Sequence, residues 1–296
     1  MSELIKRVIV AIIGIPLAIA IIYAGQWYLA VVLMVLSILA MREFYDISEK
    51  KHSYPNKIMG YIVGVLLIAN FQYFSLFQSI FFAITIIITF TLMALIFELW
   101  RNKPNSILNI AMTLAGVLYI PVLLSTLLFI RHFYDIVEFI QSENFSFIMA
   151  PRNILATRVE GAWLLVSILV SIWICDSAAY FIGKAIGKRK LFERISPKKT
   201  WEGAMAGLVF AIISFWGASE LMLRDFPFVS AIVIGLIVGI VGQLGDLCES
   251  QIKRDAGVKD SSDLLPGHGG ILDRLDSILF VMPTVFIYLF FVVVEF

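Results

Sequence analysis

Charge is scarce in this chain of 296 residues: Asp, Glu, Lys and Arg make up 15% of it, against about 25% in an ordinary soluble domain. Hydrophobic residues account for 60% and the mean hydropathy is +0.92, so the composition excludes a soluble globular protein and points to a chain solvated by lipid. Cysteine is nearly absent. The two present, Cys175 and Cys248, lie in apolar runs without pairing or metal-type spacing, which argues against a disulfide framework and reads as buried reduced thiols. No glycine loop ends in Lys-Ser or Lys-Thr, which removes an ordinary P-loop nucleotide site. A small-residue cleavage site is also missing from the first apolar run, which follows Met1 to Arg7 and continues through Tyr23, so that run reads as a retained span rather than a signal peptide.

Apolar stretches long enough to cross about 30 Å of hydrocarbon number nine. They are Val8 to Ala24, Tyr28 to Phe44, Ile58 to Phe74, Ser79 to Leu99, Ile107 to Ile130, Ala162 to Ile186, Ala204 to Leu223, Phe228 to Ile252 and Ile271 to Val294. The expected fold is therefore all-α, a polytopic integral membrane protein of about nine transmembrane helices. It forms a single membrane domain, with an N-terminal five-helix part (1–130), a connector (131–161) in which there is room for a short interfacial helix, and a C-terminal part (162–296). Threading the chain with its N-terminus in the cytoplasm puts 19 of the 23 Lys and Arg residues on that side and 4 on the other, as the positive-inside rule requires. Nine spans then place the C-terminus on the opposite side, and a bacterial inner or plasma membrane is the expected location.

Carboxylates inside a span cost several kcal/mol unless paired or hydrated, so each is a functional candidate. Spans one to five are nearly free of them. Span six holds Asp176, span eight holds Asp246 and Glu249, and span nine holds Asp273 and Asp276. Each of the last two pairs is spaced three apart and shares one helix face. Either these acids pair at the cytoplasmic interface with Lys253, Arg254 or Arg274, or they hold a cation. Carboxylate oxygens without Cys or His ligands nearby would favour Mg²⁺ or a similar ion over zinc.

Two basic cytoplasmic segments border these spans. The stretch Pro266-Gly267-His268-Gly269-Gly270-Ile271 is either a flexible turn or an anion nest at a helix N-terminus. The stretch Ser196-Pro197-Lys198-Lys199-Thr200-Trp201-Glu202-Gly203 offers two lysines and two hydroxyls suited to a polyphosphate, or is a generic basic loop.

The run Ser250-x-Ile252-Lys253-Arg254, then Lys259-Asp260, then Leu265-Pro266-x-His268-Gly269-Gly270-Ile271-x-Asp273-Arg274-Leu275-Asp276 resembles the signature of the phosphatidate cytidylyltransferase (CDP-diacylglycerol synthase) family. The likeness extends upstream through Gly245-Asp246-Leu247, Glu249, the Ser196 to Gly203 stretch and Asp176-x-x-Ala179-Tyr180. It thus covers Ile172 to Asp276, while the first five spans look like the family only in hydropathy. The resemblance implies a nucleotidyltransferase that converts CTP and phosphatidic acid to CDP-diacylglycerol and pyrophosphate in phospholipid biosynthesis, using Mg²⁺ or Mn²⁺ and with room for a monovalent cation. It implies Asp246 and Asp273 as metal ligands; beside it, the residues themselves make Glu249, Asp276 and Asp260 candidates for further ligation or for orienting Lys and Arg, and Asp176 a candidate for the polar cavity or the metal site.

On that footing Asp246, Asp273, Asp276, His268 and Arg274 are the expected catalytic residues. Ser196, Lys198, Lys199, Thr200, Lys253, Arg254, Lys259, Gly269 and Gly270 are expected to bind CTP or the lipid phosphate. The expected partners are CTP, phosphatidic acid and the bilayer, with no nucleic acid and with room for a homodimer. A CTP-dependent lipid kinase of polyprenol type and a cation-coupled transporter stand as alternatives. The kinase would release CDP, and the transporter would produce flux without lipid product.

Overall fold

The computed structural model describes residues 3–73, 76–141, 156–223, 226–264 and 269–293. In chain order the elements are α1 (Glu3–Ala24), α2 (Gln26–Glu49), α3 (Lys57–Tyr73), α4 (Leu76–Arg101), α5 (Ser106–Val117), α6 (Leu123–Arg131), α7 (Phe133–Gln141) and α8 (Ala156–Ile186). There follow two short strands, β1 (Lys190–Phe192) and β2 (Ser196–Thr200), then α9 (Trp201–Met222), α10 (Phe228–Ile237), α11 (Gln243–Asp255) and α12 (Leu272–Val293). A π-helical turn joins α5 to α6 at Leu118–Val122, and a second joins α10 to α11 at Val238–Gly242, so each pair runs as one long helix.

Every predicted span falls on a helix, to within a residue or two at its ends. Among the described residues, seven helices are long and apolar enough to cross a membrane, while Gly14–Ala24 and Lys57–Tyr73 are shorter apolar helices. On α4 the exposed residues include Ile84, Ile88, Leu92, Leu95 and Leu99, an apolar surface that a lipid environment would cover. The connector does contain a short helix, α7, and α8 begins at Ala156 rather than Ala162. One expectation about the thiols changes. Cys175 and Cys248 are both free, but only Cys175 is buried, because α11 turns the Cys248 side chain outward.

The chain divides into two compact units, residues 1–129 with 255–275, and residues 130–254 with 276–296. In the first, Tyr45 of α2 is fully buried and donates its hydroxyl to the carbonyl of Thr113 at 3.1 Å. Its ring fills the space where Gly60 of α3 and Gly116 of α5 lack a side chain. Asn109 and Thr113 of α5 then accept the backbone N–H groups of Tyr54 (2.6 Å) and Asn56 (2.8 Å), which pins the connection between α2 and α3.

In the second unit α8 and α9 pack backbone to backbone. A Cβ on Gly203 would lie 2.6 Å from the carbonyl oxygen of Ala179, and one on Gly207 would lie 3.1 Å from that of Cys175. On another side of α9, Gly235 and Gly239 of α10 and its π turn meet the backbone of Ile212 and Leu208 in the same manner. Without water to satisfy main-chain groups in hydrocarbon, such close helix contacts supply cohesion through packing.

Candidate active site

In the second unit the acidic residues are organised by the break in the long helix α10–α11. The π turn at Val238–Gly242 shifts the register of everything after it, a device concentrated at functional positions. Gln243 fills the loosened turn, donating from Nε2 to the carbonyls of Gly239 (2.6 Å) and Ala204 (3.0 Å). Gly242 and Gly245 then face α12 at close range. Ser277 donates its hydroxyl to the carbonyl of Gly242 at 3.1 Å, and a Cβ on Gly245 would sit 2.6 Å from the carbonyl oxygen of Asp276.

This packing sets Asp246 beside the turn of α12 that carries Asp276. Asp246 Oδ2 is paired with Lys199 Nζ at 2.5 Å, and Oδ1 accepts from Ser250 Oγ at 3.3 Å. The charges of Asp246, Asp176 and Lys199 all bear on Asp276. Four of the residues singled out in the sequence, from α8, β2, α11 and α12, therefore form one charged cluster.

Lys199 reaches the cluster because the stretch Ser196–Thr200 is a strand. The expected all-helical chain contains an antiparallel ribbon here, with Lys190 opposite Thr200 and Phe192 opposite Ser196. Successive strand residues point to opposite faces, so the adjacent lysines part company. Lys199 turns towards Asp246, whereas Lys198 is exposed. Thr200 is buried, and its Oγ1 accepts from the Gly203 N–H at 3.2 Å, which makes it the N-cap of α9. Glu202 accepts from the amides of Lys188 (3.1 Å) and Arg189 (3.3 Å) and ties the ribbon to the start of α9.

Two further expected phosphate ligands are engaged elsewhere in this unit. Arg254 donates from Nε to the carbonyl of Ile195 at 3.2 Å, bracing the ribbon's turn. Lys253 is buried and pairs at 3.2 Å with Glu249, which is 0% exposed. Both side chains are thus directed into the protein.

In the first unit the glycine turn before α12 is not an open nest. Asp273 reaches back to accept the amides of Gly270 (2.8 Å) and Ser261 (3.0 Å) on one oxygen, Oδ2. The next two amides, Ile271 (3.0 Å) and Leu272 (2.8 Å), donate to the carboxylate of Glu43 on α2. The glycines leave room for these carboxylates. A Cβ on Gly270 would collide with Glu43 and with the Ser261 hydroxyl, and one on Gly269, at φ +77°, would lie 2.5 Å from Asp273 Oδ2. The amides at this helix N-terminus thus donate to the protein's own acids. Arg274, Lys259 and Asp260 are exposed in this unit, and His268 lies outside the described residues.

Glu43 was passed over in the sequence because it closes the second span. The rule that any acid within a span is a functional candidate would have found it.

Among the described residues no three His, Cys, Asp or Glu side chains converge closely enough to hold a metal ion by themselves. The donors available in the cluster are oxygens, and Mg²⁺ is usually bound by one or two carboxylates completed by substrate phosphates and water. Asp246 and Asp276 suit that mode, so the residues present fit a hard divalent ion held jointly with a nucleotide.

Comparison with known proteins agrees with the signature. The model of the cytidylyltransferase family matches residues 5–292. A phosphatidate cytidylyltransferase of Synechocystis sp. is 33% identical over 303 aligned positions, covering 95% of this chain and 94% of that protein. The enzymes of the same name from Bacillus subtilis and Haemophilus influenzae are 50% identical over 117 positions and 42% over 137. Those two matches cover 40% and 45% of this chain and 44% and 48% of the relatives.

Proposed function

This chain belongs to the cytidylyltransferase family, and on that premise we propose that its charged cluster works as follows. The protein is an integral membrane enzyme that converts CTP and phosphatidate to CDP-diacylglycerol and pyrophosphate. A phosphate oxygen of phosphatidate attacks the α-phosphorus of CTP, the new P–O bond forms in line, and the α–β bridging bond breaks with its electron pair leaving on pyrophosphate. A phosphomonoester already carries between one and two negative charges near pH 7, so no covalent protein nucleophile and no strong general base are required.

The obstacle is the approach of one anion to another. The protein's part is therefore cation placement and orientation. Lys199 is the lysine directed into the cluster and is assigned to the triphosphate. Lys198, Ser196, Lys259 and Arg274 lie at exposed or half-exposed positions from which they can meet CTP or the lipid headgroup.

Asp246 and Asp276 are assigned to Mg²⁺ or Mn²⁺ and Asp176 to the polar wall of the cluster, while Asp273 is kept as a metal-ligand candidate on the likeness of the signature alone. Bound there, such an ion supplies positive charge against the phosphate oxygens. Thr200, Arg254, Gly269 and Gly270 serve the local structure, and Glu249 and Lys253 serve each other. The reaction is assigned to the cytoplasmic side, where the sequence concentrates its Lys and Arg. Acyl chains can then stay in the bilayer while the headgroup enters from the side.

The observation that carries this reading is Lys199 paired to Asp246 beside Asp276, a cation held among acids at the end of apolar helices. Purified protein given phosphatidate vesicles, Mg²⁺ and CTP labelled at the α-phosphorus should place label in lipid. With γ-labelled CTP the label should appear in pyrophosphate. Label from the γ position in lipid would make the protein a kinase and sink the proposal.

A further inference from the structure

Glu43 lies on α2, far in sequence from the Ser250 to Asp276 run, yet its carboxylate is bound to residues of that run on both oxygens. Oε2 accepts from Ser261 Oγ (2.8 Å) and Leu272 N (2.8 Å), and Oε1 accepts from Ser262 Oγ (2.5 Å) and Ile271 N (3.0 Å). Two bonds on each oxygen fill the acceptor sites of a carboxylate, so Glu43 has no capacity left for a metal or a substrate proton. It is 4% exposed.

The four donors come from both flanks of the segment 263–269, and Glu43 joins those flanks at one point. Asp273 joins them a second time, since its Oδ2 takes the amides of Ser261 and Gly270. Gly270 must be glycine because the Glu43 carboxylate and the Ser261 hydroxyl occupy the place of its Cβ.

We infer that Glu43 is a positioning residue for the reaction: it fixes the start of α12, and through it the direction of Asp273 and Arg274, from outside the signature. The inference rests on the function proposed above, and its physical basis is the preorganisation that a buried, fully satisfied carboxylate gives to backbone donors. A carboxylate is needed rather than an amide. The Glu43→Gln substitution would keep one acceptor oxygen but turn an NH₂ group towards the other pair of donors, leaving a buried backbone N–H facing hydrogens while the serine hydroxyl beside it must rotate to accept.

The test uses the full chain in detergent or nanodiscs, with Glu43→Gln, Ser262→Ala and the double variant. Hydrogen exchange followed by mass spectrometry reads the geometry without any activity. In Glu43→Gln the amides of Ile271 and Leu272 should exchange at least about tenfold faster while α4 and α9 exchange as in wild type, the pattern of local rather than global opening. In CDP-diacylglycerol formation, kcat should fall at least about tenfold with KM for CTP within about threefold, since the residue orients and does not bind.

Ser262→Ala should give a smaller loss, and adding it to Glu43→Gln should cost little more, because both act through one set of bonds. Unchanged exchange at Ile271 and Leu272 overturns the inference, as does loosened exchange with unchanged kcat, and as does a rise in KM for CTP at constant kcat. If wild-type protein makes no CDP-diacylglycerol, the proposed function fails, and the inference fails with it even where the exchange result confirms the clamp's geometry.

Discussion

The contact between α11 and α12 gives a prediction whose size can be worked out. Gly245 directly precedes Asp246, and a Cβ there would lie 2.6 Å from the Asp276 carbonyl oxygen and 2.9 and 3.0 Å from two ring carbons of Phe280. Ordinary contact begins near 3.4 Å, so Gly245→Ala requires the two helices to part by about 0.8 Å (3.4 − 2.6 Å). The carbonyl belongs to helix backbone and cannot swing aside as the end of a side chain could.

Two opposing terms act on stability. Overpacking costs about 1–3 kcal/mol, while replacing a helical Gly by Ala returns about 1 kcal/mol, leaving a net loss of no more than about 2 kcal/mol. Activity should suffer more. A displacement of about 1 Å at a reacting centre costs on the order of 10²-fold, so kcat is expected to fall roughly 10- to 100-fold in a protein that still folds. The matched control is Gly217→Ala on α9, where a Cβ would meet nothing within 4 Å. That variant should be equally active and slightly more heat-stable. The assay is CDP-diacylglycerol formation alongside thermal unfolding in detergent, and a Gly245→Ala protein with wild-type kcat would refute the claim that this contact sets the geometry of Asp246.

Other substitutions probe the remaining assignments. Lys199→Met removes the cation paired with Asp246 and should lower kcat/KM for CTP by about 10²-fold or more, with little loss of thermal stability. Thr200→Ala deletes the N-cap of α9 at a cost of about 1 kcal/mol, visible as a lowered Tm, whereas Thr200→Ser should retain both cap and activity. Glu249→Gln removes the charge paired with the buried Lys253 and should destabilise by about 1.5–3 kcal/mol, while replacing both by methionine should be close to neutral in Tm. Recovery of the single variant's stability in the double variant is the check on that pair.

Much of the architecture could be read from hydropathy, because helices that face lipid have to be long and apolar. The acids of spans six, eight and nine were equally legible, since a carboxylate in such surroundings needs a reason. The ribbon Lys190–Thr200 was not. Its strands are three and five residues long, and its pairing depends on Glu202 and Arg254 holding it from outside. The local duties of Thr200, Gly269 and Gly270 were not legible either, because a cap and a backbone clearance use the same residue types as a phosphate nest. Glu43 itself was within reach of the rule for acids in spans, but its partners lie 218 to 229 residues away in sequence, a separation that no local pattern reveals.

The central claim is that the acids gathered around Lys199 carry out cytidylyl transfer. Asp246→Asn tests it most directly, since it keeps size and hydrogen-bonding ability but removes the charge that pairs with Lys199. In purified protein whose exchange and thermal unfolding match wild type, α-labelled CTP and phosphatidate should yield CDP-diacylglycerol at a rate lower by about 10²-fold or more. Product formed at the wild-type rate would contradict the account.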